Sequence, residues 1–461
     1  MKLIKSLLLG AATGLVGVAV AHAADLPRRT KGPAVSYVRI CDTYGAGFYY
    51  LPGSTDTCVH IGAYLRVDYN FASTHDVLGY DYATVINRSA QQDASVFFAR
   101  FAPTFDVRTA TEYGVLRIFG QGDFNSGSGG VSNVSAGAEK AFIQFGGLTA
   151  GLATSFYDFY IYGADDYLST HTSYTPTNLL AYTATFGGGF SASLSIEDPR
   201  GRALPYYDNG GFNFTGPAVA GAAAGNFAAA GGERFPDLVA NLRVDQGWGS
   251  AQLSGALHQD QLLTIGGAPE VGAPSTAALG NKTETGYAIL GGLKINLPTL
   301  GAGDALYLEA AYAKGATGYL GFNGFSMGPA LQPGGQISYP TVDGVVDAAG
   351  AIHQTTGFEA LVALRHYWSP TFFTGGIVGY AQLNQAAAVR AATPATGGVG
   401  NFSEWRFGLT NEWVPVAGFA IGLEVEYAQV HQTATVGAGI PAGFSGNYGT
   451  WTGKIRLQRT F

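Results

Sequence analysis

NYGTWTGKIRLQRTF, residues 447–461, closes the chain. From Trp451 onward its odd positions read Trp451, Gly453, Ile455 and Leu457, and the last residue is Phe461; its even positions read Thr452, Lys454, Arg456 and Gln458. Successive side chains of a strand point to opposite faces, so one face is apolar and the other polar and basic. Arg459 breaks the apolar parity near the end, where a charge costs only about 0–1 kcal/mol even against lipid. A soluble sheet can carry one such strand. Many of them, with no helical stretch between and an aromatic at the terminus, point instead to a membrane barrel. The last strand of such a barrel must pair with the first, because each unpaired backbone group in hydrocarbon costs several kcal/mol.

The other end of the chain fits an exported protein. Lys2 and Lys5 precede the apolar run Leu7–Val20, and Ala21-His22-Ala23 is a small-residue cleavage box. This predicts a signal peptide over 1–23 and a mature chain, a single barrel domain, over 24–461. The run is too short for a transmembrane anchor. Losing two lysines takes the formal charge from −7 to −9. No basic patch of the kind that binds nucleic acid is present. Charged residues are 12% of the chain, about half the usual share, while Gly is 68 of 461 residues and aromatics are 13%. No mature stretch reaches 18 consecutive apolar residues, so membrane helices are excluded and strands remain. The two cysteines, Cys41 and Cys58, are expected to form a disulfide in an oxidising compartment, contributing about 3 kcal/mol. Two free thiols or a metal site is the alternative, without a Cys or His at zinc-ligand spacing to support it.

The pattern repeats along the chain. In Val59–Phe71, Val59, Ile61, Ala63, Leu65, Val67, Tyr69 and Phe71 take one face and His60, Gly62, Tyr64, Arg66, Asp68 and Asn70 the other. Ser95–Thr109 sends Phe97, Ala99, Phe101, Phe105 and Val107 out and Arg100, Thr104, Asp106 and Arg108 in, with a bulge expected at Pro103. Glu112–Asp123 sends Arg117, Gln121 and Asp123 in, the next strand sends Lys140 and Gln144 in, and a fifth covers about 149–156. Further strands are expected at 180–187, 190–198, 237–246, 249–260, 284–296, 304–314, 355–368, 371–384, 402–413 and 418–432, before the terminal one. Short turns alternate with long Gly/Ala/Pro-rich segments; the stretch 216–232 reads as loop because its glycines disfavour a helix. The total is about 16 antiparallel strands in an all-β barrel, with short turns at one end and long loops at the other.

At this point the sequence resembles a known family, the alphaproteobacterial general porins, the major outer-membrane porins of Brucella and Rhizobium relatives. Four stretches carry the resemblance: MKLIKSLLLGAA with AHAADLP, VRICDTYGAGFYYLPGSTDTC leading into the first strand, GGLTAGLATSFYDF at 146–159, and the ending GKIRLQRTF. The long loops show none. The resemblance implies a homotrimer of 16-stranded barrels embedded in outer-membrane lipid and lipopolysaccharide, each a water-filled passive channel for small hydrophilic solutes and ions. It implies that Phe461 belongs to the signal read by the barrel-assembly machinery. It also implies that the third long loop, here 157–178 with Asp158, Asp165 and Asp166, folds into the lumen and constricts it.

Arg66, Arg100, Arg108, Arg117, Lys140, Lys454 and Arg456 lie on the inward parity of the last strand and the first four, which become neighbours on closure. One basic wall is therefore expected to face the loop carboxylates across a narrow pore, setting up a transverse field. On the opposite wall Glu309, Glu359, Glu404, Glu412, Glu424 and Glu426 take the inward parity, and with the negative net charge they predict a weak preference for cations. Tyr69, Trp368, Trp405, Trp413 and Trp451, near strand ends, suit interfacial girdles. A substrate-specific channel is the first alternative; it calls for a line of lumen aromatics, for which Tyr64, Phe98, Tyr307 and Tyr380 are the candidates. A barrel enzyme is the second. The mature histidines are scattered and His366 points outward, so no nucleophile and base are indicated. No cofactor or metal is called for.

Overall fold

The computed structural model describes residues 39–72, 95–126, 134–161, 172–202, 207–208, 227–230, 234–266, 277–322, 343–346, 351–385, 401–432 and 447–461. The leader 1–23, Asp165, Asp166 and most of the long loops lie outside them. From Cys41 to Phe461 the chain forms one unit.

Sixteen strands build it: β1 Thr57–Ala72, β2 Ser95–Thr111, β3 Gly114–Ser126, β4 Val134–Phe145, β5 Leu148–Thr154, β6 Pro176–Gly187, β7 Phe190–Glu197, β8 Asp237–Gln246, β9 Gly249–Gly266, β10 Ala277–Asn296, β11 Ala305–Lys314, β12 Thr356–Ser369, β13 Phe372–Asn384, β14 Phe402–Val416, β15 Phe419–Gln432 and β16 Asn447–Thr460. Each pairs antiparallel with its chain neighbours, and β16 also pairs with β1, from Tyr64 opposite Thr460 to Ala72 opposite Thr452. Ala63 and Phe461 exchange both backbone hydrogen bonds at 2.9 Å, so the terminal residue is part of the seam. An even strand number is what lets first and last meet antiparallel, and closure removes every edge.

The two faces follow from side-chain type. Ile61, Leu65, Val67, Phe97, Phe105, Leu409 and Leu457 are exposed on the outer face, while Asp68, Asp106, Glu309, Glu404 and Arg456 are buried on the inner one. Trp405 and Trp451, at the long-loop ends of their strands, and Trp368 and Trp413, at the short-turn ends, are all exposed. Tyr69 packs beside Phe97 with ring centroids 4.8 Å apart, again toward the loop end. This gives two aromatic girdles around an apolar band. Arg459 donates to the carbonyl of Ala417 in a short turn, confirming its rim position. His366 pairs with Thr374 on the outward side and meets Asp304 Oδ2 through Nδ1 at 2.5 Å, at the short-turn rim. Burial pushes the Asp304 carboxyl up, but the Tyr367 amide at 2.8 Å and His366 outweigh it and hold the group below its usual range.

The disulfide joins Cys41 to Cys58, Cα atoms 6.1 Å apart. It straps the entry segment onto the start of β1, where Tyr49 and Tyr50 pair with Val59 and Cys58. Phe48 packs on His60 at 5.3 Å, and Arg108 sits 4.9 Å over its ring.

Several boundaries differ from those read from sequence. No bulge occurs at Pro103: β2 stays in register with β1 through Ala63–Pro103, and the β2–β3 ladder is interrupted at Ala102–Pro103 without a shift. A missing N–H removes one ladder bond without adding a residue. The bulge lies one strand further on, where Gln121 faces Lys140 but Gly122 faces Ala138, leaving Glu139 as the extra residue. β9 and β10 run beyond 260 and start before 284, forming a tall hairpin, and Phe227–Ala230, read as loop, pairs with Leu262–Ile265.

Candidate functional site

The inner face of β16, β1, β2 and β3 is a lattice of charges. Asp68 in β1 lies opposite Arg456 in β16, and the guanidinium grips it through Nε at 2.7 Å and Nη2 at 2.9 Å. Lys454 Nζ is 4.0 Å and Arg66 Nε 3.7 Å from the same carboxylate. Arg66 stands directly opposite Arg100, which reaches Asp123 at 2.5 Å and Asn125 at 2.6 Å. Arg108 and Arg117, opposed across β2 and β3, both grip Asp106, at 2.7 and 2.9 Å. Lys140 lies opposite Gln121, on the same face, with no ion pair among the described residues. Seven cations against Asp68, Asp106 and Asp123 leave this wall with an excess of four positive charges.

Period-two strands make this lattice. Residues two apart share a face, so Arg66 with Asp68, and Asp106 with Arg108, are neighbours by parity alone, and register adds the cross-strand partner.

Glu404, Glu412, Glu424 and Glu426, expected on the opposite wall, instead lie on β14 and β15, the two strands that adjoin β16, so they continue the basic wall with the opposite sign. Arg406, buried and not singled out in the sequence, is held by Glu404 at 2.6 Å with Glu426 at 3.9 Å. Glu424 accepts from Thr410 and lies opposite Lys454. On β11 and β12, Glu309 and Glu359 are diagonal neighbours. Glu359 is 0% exposed, and neither of its oxygens has a hydrogen-bond partner among the described residues. A buried group without a partner keeps its desolvation penalty. Glu359→Met is therefore expected to stabilise the barrel by about 1–3 kcal/mol, read as a higher urea midpoint. An unchanged or lower midpoint would mean that the carboxylate has a partner.

The segment after β5 lies against the inner side of β7 to β11, about half-way round from β1. The Phe156 amide donates to Glu197 Oε1 at 2.9 Å, and Asn241 Nδ2 donates to the Phe156 carbonyl at 2.6 Å. Gln252 Nε2 donates to the Asp158 carbonyl at 3.1 Å, and the Tyr160 amide donates to Glu309 Oε2 at 2.7 Å. Tyr157, fully buried, stacks edge-on against Tyr319 at 4.7 Å within a cluster that includes Leu290 and Ala313. Gly292 leaves the space that the Phe159 ring takes: a Cβ there would come within 2.1 Å of it.

Asp158 does not face the arginine wall. It accepts from Arg202 Nη2 at 2.8 Å, Ser173 Oγ at 2.7 Å and the Thr175 amide at 2.8 Å, so its charge is held by the foot of its own loop and by Arg202 of a later connection. Burial alone would pull the Arg202 guanidinium down; Asp158 beside it more than offsets this and holds it above its ordinary value. Arg202 also stacks 4.3 Å over Tyr319 and donates to the Ser173 carbonyl at 2.8 Å. Sequence reading missed Arg202 because it lies in a long connection with no periodicity to place it.

The lumen aromatics form no line. Tyr64 and Phe98 flank Arg66 at 5.9 and 5.6 Å, and Tyr307 lies across the barrel beneath Tyr160. Tyr380 faces outward, against Trp405 at 4.7 Å and Phe358 at 5.4 Å, which corrects its expected inward placement. Its strand, FFTGGIVGYAQLN, has no polar–apolar alternation, and its inner face is itself apolar, with Phe373, Ile377 and Leu383 buried.

The sequence and the fold both match known proteins. The chain is 36% identical over 273 residues to the porin Omp2b of Brucella canis, covering 56% of this chain and 67% of that one. It is 34% identical over 279 residues to the porin Omp2b of Brucella suis, with the same coverage. Among solved structures, the outer membrane channel DcaP of Acinetobacter baumannii superimposes with a TM-score of 0.57 at 15% identity, over 88% of this chain and 98% of that one. A model of the porin subfamily matches residues 25–451. The chain therefore belongs to the porin subfamily and is a β-barrel of the outer membrane.

Proposed function

We propose that the protein is a general diffusion porin, a water-filled passive channel for small hydrophilic solutes and ions. The observation that carries this reading is the division of the barrel into an apolar outer band and a charged inner surface, with a basic lattice on β16 and β1 to β4 and buried glutamates on β11, β12, β14 and β15. Such a surface orients charged solutes and makes apolar ones give up ordered water. In this reading 157–178 is the constriction loop, its first residues 157–160 held against the wall opposite the basic lattice, so that Arg66, Arg100, Arg108, Arg117, Lys140, Lys454 and Arg456 line the open side. The five buried glutamates Glu309, Glu359, Glu404, Glu424 and Glu426, with the mature charge of −9, favour weak cation selectivity. The signal peptide 1–23 delivers the chain, the barrel-assembly machinery reads the strand ending in Phe461, and three copies assemble.

Single-channel current in a planar bilayer under a salt gradient tests this. Nanosiemens-scale steps closing in threes, with a small reversal potential on the cation side, are expected. A reversal potential on the anion side overturns the selectivity, and insertion without steady conductance overturns the open channel.

A further inference from the structure

His258 in β9 is buried, with 2% of its side chain exposed, and nothing in the channel reading uses it. Its Nδ1 lies 2.8 and 3.0 Å from the two oxygens of Asp237, and Asp237 also accepts from Tyr319 Oη at 2.6 Å. A carboxylate at Nδ1 keeps the proton on that nitrogen and leaves the lone pair on Nε2. Nε2 makes no hydrogen bond among the described residues; it points toward Asp260 Oδ1 at 3.9 Å. That distance is too long for a hydrogen bond. It is the separation of two ligands sharing one ion, since two bonds of about 2.1 Å at a wide angle span between 3 and 4 Å.

Asp343 supplies a third group. One ligand atom from each of His258, Asp260 and Asp343 lies within 4.8 Å of the others, and all three residues are buried. Each ligand is steadied from outside. Gln354 Nε2 donates to Asp260 Oδ2 at 2.8 Å. The Thr317 amide and hydroxyl donate to Asp343 Oδ1 at 2.5 and 2.8 Å. Together with the Asp237 contact, this outer shell is the arrangement that orients metal ligands.

We propose that His258, Asp260 and Asp343 bind one divalent first-row transition cation, Zn2+ or Mn2+. An imidazole with two carboxylates suits these ions, whereas Ca2+ takes six to eight oxygens. Asp343, Thr317, Tyr319 and Gln354 all belong to the 315–355 connection between β11 and β12, so the ion clamps that connection to β9. The proposal concerns binding and does not rest on the channel reading.

The test uses the full chain, refolded without metal and equilibrated with Zn2+, Mn2+ or Ca2+, with bound metal measured by elemental mass spectrometry. Folding is verified by heat-modifiable migration. About one Zn2+ or Mn2+ per chain is expected, with Ca2+ at least about tenfold weaker. His258→Gln and the isosteric Asp260→Asn are each expected to weaken binding at least about tenfold. Zn2+ is further expected to slow proteolysis within 315–355 in the wild type but not in Asp260→Asn. A folded wild type that retains none of these ions overturns the proposal, as does binding that both substitutions leave unchanged. Retained metal with unaltered proteolysis overturns the clamp.

Discussion

Arg202→Met is expected to lower stability by about 3–5 kcal/mol, the cost of leaving a buried charge without its partner. The side chains of Arg202 and Asp158 are 2% and 0% exposed, so water cannot replace the lost contact. Arg202 joins three connections: its own, the one carrying Asp158 and Ser173, and the one carrying Tyr319. Its loss therefore loosens the base of the 157–178 segment as well as costing energy. Two measurements follow. The urea midpoint should fall, and current noise in the open channel should rise. Adding Asp158→Asn removes the stranded charge, so the double variant should recover part of the loss. Equal stability of Arg202→Met and wild type would show that the ion pair carries no net stabilisation.

Leu409→Arg is expected to cost about 2–4 kcal/mol, the penalty for a cation at the middle of the lipid-facing band. Leu409 is 52% exposed and lies on the outward face of β14, midway between the exposed Trp405 and Trp413. Those indoles mark the two interfaces, which puts residue 409 at the depth where a charge has least access to headgroups or water. Val416→Arg makes the same chemical change on the same strand at the short-turn rim, where about 0–1 kcal/mol is expected. Comparing the two urea midpoints in lipid vesicles isolates depth from chemistry. Equal effects would mean that the apolar band is not centred between these girdles.

The strands were legible because a two-sided wall between lipid and water forces alternation, and alternation is visible in single residues such as Ile61, Arg66 and Asp68. The same parity placed Arg66, Arg100, Arg108, Arg117, Lys454 and Arg456 on one face. Legibility failed where alternation fades. β13 is apolar on both faces, so Tyr380 was turned the wrong way. Phe227–Ala230 and the start of β10 are rich in Ala and Gly, and QLLTIG at the top of β9 loses the polar–apolar alternation, yet neighbouring strands supply their hydrogen bonds. The partner of Asp158 was out of reach for a different reason. Arg202 lies 44 residues further along in an aperiodic connection, and only the folded path of two loops brings them together.

The seam has a consequence for how the molecule is made. Asp68 and Arg456 are 388 residues apart in sequence, and Phe461 itself completes the ladder with Ala63. Contacts of such separation form late, because the chain entropy lost on closing the loop comes before any contact repays it. Until the final residues are available, β1 and β15 each present an open edge able to pair with another chain. The interval before the first strand meets the last is thus the period in which the unfinished barrel is most prone to aggregate.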